Sequence, residues 1–282
     1  MLTPPRPSWS GVVDAGGHRI AVDVRGEDPS LLLVNGVGGG RALWGPLRAA
    51  LPRDLGTIAY DAPGCGDSDA ARGPLSVRDQ ARVAADVVRA LGVRRVDVLG
   101  FSFGGMVAQQ LAHDAPDRVR RLVLVATACG VGSVPGSPLA YALLASPQLL
   151  RSQASVLQVS PYIFGGSVGR RRDAVRRHVE LFRHRVDTAS YLGQLHAGMV
   201  WTSLPWLAQV RQPTLVVAGD DDPLVPVGNV TLLTKLLPHA QAHLVRGGGH
   251  LMLIDSVDEV APVIHGFLAP GWEATSRADV PA

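Results

Sequence analysis

Hydrophobic positions along the chain fall into two patterns that alternate. Residues 31–34 and 122–126 are unbroken apolar runs, Leu-Leu-Leu-Val and Leu-Val-Leu-Val-Ala. Short runs without polar interruption mark strands covered on both faces, as in a parallel sheet. Residues 57–60, 96–99, 214–218 and 242–245 read as further strands. Between them the spacing changes. Val77, Ala81, Ala84, Val87, Val88 and Leu91 share one face of a helix that Gly92 ends. Shorter helical patterns cover 42–50, 106–112 and 229–237, and a last helix ends near Leu268. Ahead of all these, 11–14 and 18–25 flank Gly16-Gly17 as a β-hairpin.

The alternation lapses once. Residues 129–208 are irregular and helical, carry Trp201, Trp206 and three of the four tyrosines, and are too long for a structureless loop. The pattern predicts an α/β fold: a mostly parallel, doubly wound, eight-stranded sheet with a helical insertion after its sixth strand. The expected divisions are a core of residues 1–128 and 209–270, a helical lid over 129–208, and a frayed tail over 271–282.

Composition narrows the partners. With 46% hydrophobic and 18% charged residues, a chain of 282 buries a sizeable core, which excludes disorder as its main state. The net charge of +3 comes without a nucleic-acid-binding motif, so no nucleic-acid partner is expected. Cys65 and Cys129 are the only cysteines, which excludes a disulfide framework and a zinc–cysteine cluster. All apolar runs are strand-sized, and no transmembrane segment is predicted. Residues 1–10 hold no apolar stretch of a secretory signal, so the expected location is cytoplasmic. Arg170, Arg171, Arg172, Arg176, Arg177, Arg183 and Arg185 read as a solvated helix face.

Chemistry gathers at strand ends. Gly100-Phe101-Ser102-Phe103-Gly104 matches the Gly-x-Ser-x-Gly nucleophile elbow, entered by a strand and left by a helix as the elbow requires. The same letters also describe a capping serine in a glycine turn; the flanking elements favour the nucleophile. Such a serine needs a base and an orienting acid, in the order Ser, acid, His, at the ends of later strands. His250 follows the last strand after Gly247-Gly248-Gly249, a run read as flexible enough to let the imidazole reach over. Asp220, Asp221 and Asp222 all follow the strand at 214–218, and position alone leaves the acid open among them. The oxyanion-binding amides would be those of Phe103 and of Val37, in the loop Asn35-Gly36-Val37-Gly38-Gly39. That loop imitates a dinucleotide fingerprint without its last glycine. Cys65, within Pro63-Gly64-Cys65-Gly66, reads as part of a structural turn.

These motifs come with others: Leu33-Val34-Asn35-Gly36-Val37-Gly38, Val134-Pro135-Gly136, Ala145-Ser146-Pro147, Tyr162-Ile163-Phe164-Gly165-Gly166, Trp201-Thr202-Ser203, and Gln212-Pro213-Thr214 leading to the aspartates. Together they resemble the α/β-hydrolases, and within them the intracellular depolymerases of medium-chain-length poly(3-hydroxyalkanoate). The resemblance implies a triad of Ser102, Asp222 and His250 that hydrolyses polyester through an acyl-enzyme with no metal or organic cofactor. Phe103 stands where these depolymerases usually carry Trp. Asn35 and the lid aromatics Tyr162, Phe164, Trp201 and Trp206 are the expected substrate-pocket residues. With Ile163, the aromatics are also expected to present an apolar patch to the surface of intracellular polyester granules. The competing readings are a hydrolase of small esters or of carbon–carbon bonds with the same three residues, and a ligand receptor that has lost turnover.

Overall fold

The computed structural model describes residues 8–26, 28–146, 153–167, 185–269 and 271. Strands β1 (Ser8–Ala15) and β2 (His18–Arg25) pair antiparallel about Gly16 and Gly17. Both glycines have positive φ, 58° and 76°, as a two-residue hairpin turn demands. Strands β3 (Pro29–Val34), β4 (Gly56–Tyr60), β5 (Val96–Phe101), β6 (Val119–Val125), β7 (Thr214–Gly219) and β8 (Ala240–Val245) complete one sheet. Its order is β1-β2-β4-β3-β5-β6-β7-β8. The β2–β4 pairing is antiparallel, and every pairing beyond it is parallel.

The unbroken apolar runs are explained by two cores. Leu32 and Val34 enter one, Leu31 and Leu33 the other, so every position of the strand interior is covered. Helices α1 (Gly45–Ala50), α2 (Val77–Ala90) and α3 (Phe103–Asp114) follow successive strands. α2 and α3 build the first core and α1 the second. Ser76 caps α2 in a reciprocal capping box with Asp79. The helix expected at 106–112 starts earlier, at Phe103. Gly104 and Gly105 look like helix breakers in sequence, but here they allow close packing. A Cβ at Gly104 would strike the Val34 carbonyl oxygen, and one at Gly105 would lie 2.5 Å from the Thr127 side chain.

Between β6 and β7 come α4 (Pro138–Leu144), α5 (Gln153–Ile163) and α6 (Thr188–Val200). A bridge between Gly130 and Thr202 joins the two ends of this segment, and another links Val186 to Cys65 in the loop after β4. After β7 the chain continues through α7 (Gly228–Leu236), β8, α8 (Met252–Asp255) and α9 (Val257–Leu268). Among the described residues no helix is long and apolar enough to cross a membrane. Arg170, Arg171, Arg172, Arg176, Arg177, Arg183 and Pro147 lie outside the described residues, as does the tail from 272 to 282.

Candidate active site

Ser102 stands at the junction of β5 and α3 with φ 53° and ψ −120°. Positive φ is costly for a residue with a side chain and persists only where its surroundings impose it. Here they do. A Cβ at Gly100 would collide with the Gly104 carbonyl oxygen, and the Ser102 amide is held by the Val125 carbonyl at 2.9 Å. The two glycines of the elbow thus serve close approach of strand and helix, while the strain falls on the serine between them.

His250 Nε2 lies 3.0 Å from Ser102 Oγ, and His250 Nδ1 lies 2.8 Å from Asp222 Oδ2. The Asp222 carboxylate is closed to solvent, and its second oxygen accepts from the amides of Leu224 (2.8 Å) and Val225 (3.0 Å). Its two neighbours in sequence do other things. Asp220 Oδ1 accepts from the Gly247 amide at 2.5 Å, and Asp221 Oδ2 from the Gly166 amide at 2.9 Å. The choice among three carboxylates is therefore made by local turns, with Asp222 the one that meets the imidazole.

The imidazole is fixed from several sides. The His250 amide donates to the Phe164 carbonyl at 2.6 Å, and the ring sits against Phe101 with centroids 5.1 Å apart. The glycine run before it is packed rather than flexible, contrary to expectation. A Cβ at Gly249 would strike the Phe164 carbonyl oxygen, and one at Gly248 would come within 2.7 Å of Val245.

The loop after β3 passes directly beside the serine: a Cβ at Gly36 would lie 3.2 Å from that of Ser102. Asn35 is buried and donates through Nδ2 to the Gly40 carbonyl at 3.0 Å, and Gly38 donates its amide to Gln194 Oε1 at 2.8 Å. Arg41 anchors the far end on Asp61 through its amide (2.7 Å) and Nε (2.9 Å). Val37 lies between these anchors, and Phe103 supplies the first amide of α3, where the helix dipole favours negative charge. Asn35, Gly36, Phe103 and Gln194 are among the walls of a narrow space of about 10 Å³.

The aromatic candidates separate. Phe164 is buried and reaches the site through its carbonyl, whereas Tyr162 is 56% exposed. Trp201 donates to Gln110 Oε1 at 2.8 Å, and Trp206 stacks on His113 at 4.3 Å, so both are seated along α3 and neither is among the walls of that narrow space. Ile163 is fully buried. The expected patch of five aromatic and aliphatic side chains thus leaves Tyr162 as its one fully exposed member. Burial pushes the Cys65 thiol up to about 12, which keeps it protonated and unreactive at neutral pH. Gln194 and Gln80, which also line that space, escaped the sequence reading, because an inward carboxamide on a helix has no signature of its own.

Among the described residues no group of three or more His, Cys, Asp or Glu is gathered to hold a metal ion. A hydroxyl bonded to one nitrogen of an imidazole, with a buried carboxylate on the other, can pass its proton to the ring and become a nucleophile. Comparison with known proteins agrees in kind. A family model described as the alpha/beta hydrolase fold matches residues 29–164 and 193–257. A poly(3-hydroxyalkanoate) depolymerase of Ectopseudomonas oleovorans is 40% identical over 94% of this chain and 94% of its own. The enol-lactonase of Burkholderia xenovorans superposes with a TM-score of 0.79 at 23% identity, covering 92% of this chain and 99% of that one. A meta-cleavage product hydrolase of Pseudomonas fluorescens does so with 0.78 at 21%, covering 92% and 97%. Sheet order, elbow and family match converge, and the chain belongs to the α/β-hydrolase fold family.

Proposed function

We propose that the protein is a serine hydrolase that cleaves the ester bonds of medium-chain-length poly(3-hydroxyalkanoate). The observation that carries the chemistry is the unbroken hydrogen-bonded chain from Ser102 Oγ through His250 to the buried Asp222. The polyester is suggested by the 40% identity to a depolymerase along almost the whole of both chains. In this reading Ser102 Oγ attacks the ester carbonyl carbon while His250 Nε2 takes its proton. Asp222 holds the imidazole in the required tautomer and stabilises the imidazolium. The carbonyl oxygen, now an alkoxide, is bound by the Val37 and Phe103 amides, each such donor typically contributing about 3–4 kcal/mol. The C–O bond to the leaving alcohol then breaks, and that oxygen takes the proton from His250. Water attacks the acyl-enzyme by the same path, releasing a 3-hydroxyacid or an oligomer. Every proton and electron pair moves among substrate, water and these side chains, so the scheme needs no cofactor.

The segment 129–208 acts as a lid in this proposal. Its support is that the Phe164 carbonyl and the Gly166 amide engage the loops bearing His250 and the aspartates. The test is clearing of a medium-chain polyester suspension by the purified protein, with mass analysis of the products. Clearing with release of 3-hydroxyacids or their oligomers is expected. Hydrolysis of soluble p-nitrophenyl esters without clearing would replace the polymer with a small-ester substrate. A fluorophosphonate probe that leaves Ser102 unmodified would remove the catalytic reading.

A further inference from the structure

A cleft of about 150 Å³ lies between α6 and the loop after β4. Pro63, Pro74, Leu75, Ala189 and Gly193 give it short, largely apolar walls, interrupted by the carboxamides of Gln80 and Gln194. Those same two glutamines line the smaller space walled by Asn35, Gly36 and Phe103. Both are only 3% exposed. The two spaces therefore share one wall, made of a pair of buried carboxamides, one from α2 and one from α6. Gln194 is not free to drift, since its Oε1 accepts from the Gly38 amide in the loop beside the serine and one N–H of its Nε2 donates to Cys65 Sγ at 3.6 Å. That leaves the second N–H for a ligand.

We propose that this outer cleft is a second substrate site, holding the 3-hydroxyacyl unit next to the one whose ester bond is cleaved. The proposal rests on the ester-hydrolase reading above and adds to it where a longer substrate lies. Each unit of such a chain brings one alkyl branch and one ester carbonyl. The branch suits walls of Pro, Leu and Ala, and the carbonyl accepts a hydrogen bond from a carboxamide N–H. A buried amide pair in an otherwise apolar wall gives register to a repeating polar group, because an unmatched carbonyl there would lose its hydrogen bonds to water.

Gly193 offers a clean test. A Cβ there would meet no atom within 4 Å, so a larger side chain can start from this wall, Gly193→Phe brings a ring to the cleft, and loss of a helical glycine favours α6. Gly73, on the opposite wall, is equally open, and Gly73→Leu provides an independent second variant. The measurement is kcat/KM on a linear trimer of 3-hydroxyoctanoate and on p-nitrophenyl butyrate, with Gly193→Ala as the small-volume control. Both filling variants should lower the trimer-to-butyrate ratio by roughly tenfold, mostly through KM, the scale of losing burial of about two methylene groups. Gly193→Ala should keep the wild-type ratio. If the wild type cleaves the trimer and the ratio does not move in either filled variant, the outer site is overturned alone. A wild type active on butyrate but inert toward the trimer overturns the polyester reading, and the outer site with it.

Discussion

Asp222 gives one oxygen to His250 and the other to two backbone amides, so its geometry is fixed independently of the imidazole. Asp222→Asn would keep those amide bonds while presenting the wrong partner to Nδ1. Its kcat on a soluble ester should fall by roughly 10⁴-fold. Asp220→Asn, which disturbs only the acceptor of the Gly247 amide, should cost far less. A loss at Asp220 equal to that at Asp222 would reassign the acid. That Ser102 and His250 would come together was legible in sequence because each sits at a strand end in a distinctive glycine setting. Which carboxylate meets the imidazole was not legible from position, since three consecutive ones share one strand end. What separates them is which turn captures which oxygen, and that depends on the path of residues 223–225.

At the level of elements, the sheet was readable because burial on both faces imposes continuous apolar runs, as at Leu31–Leu33 split between two cores. The start of α3 was not, because Gly104 and Gly105 signal a break locally and close approach globally. α2 shows a local signal that transfers directly to structure. Ser76 Oγ accepts from the Asp79 amide, and Asp79 returns a bond to the Ser76 amide. Ser76→Ala should lower stability by about 1 kcal/mol in denaturant unfolding at neutral pH. The Ser76 hydroxyl, more than Arg82, holds the Asp79 carboxyl below its ordinary range. That contribution is present above the unfolded carboxylate pKa and is lost as pH falls through the lower folded value. The Ser76→Ala penalty should therefore shrink in acid. A penalty that grows on acidification would contradict this origin.

Across the whole molecule the exposed apolar side chains are unevenly placed. Among the described residues, nine of the twelve large ones, from Val131 to Leu204, fall in the segment between β6 and β7, so any attraction to an apolar solid is concentrated there. The side chains differ from the aromatics expected at first: Ile163 and Phe164 are interior, while Met199 is 75% exposed beside Val200. Met199→Gln combined with Tyr162→Ser should weaken co-sedimentation with polyester granules more than it slows hydrolysis of a soluble ester. Equal losses in both assays would place these residues in the pocket instead.

The bond from the His250 amide to the Phe164 carbonyl, with its companion from the Gly166 amide to Asp221, also bears on how the molecule breathes. These two bonds run between the 129–208 segment and the strand-end loops, so that stretch of the segment cannot lift away without releasing the backbone of His250. Substrate entry by such a hinge would dismantle the site at each opening. Entry along the α6 side would leave both bonds intact through turnover. Native-state hydrogen exchange distinguishes the two routes, because amides broken only by global unfolding exchange with its full free energy. The His250 and Gly166 amides should belong to the slowest class, and fast exchange at both would mean that the segment opens as one piece.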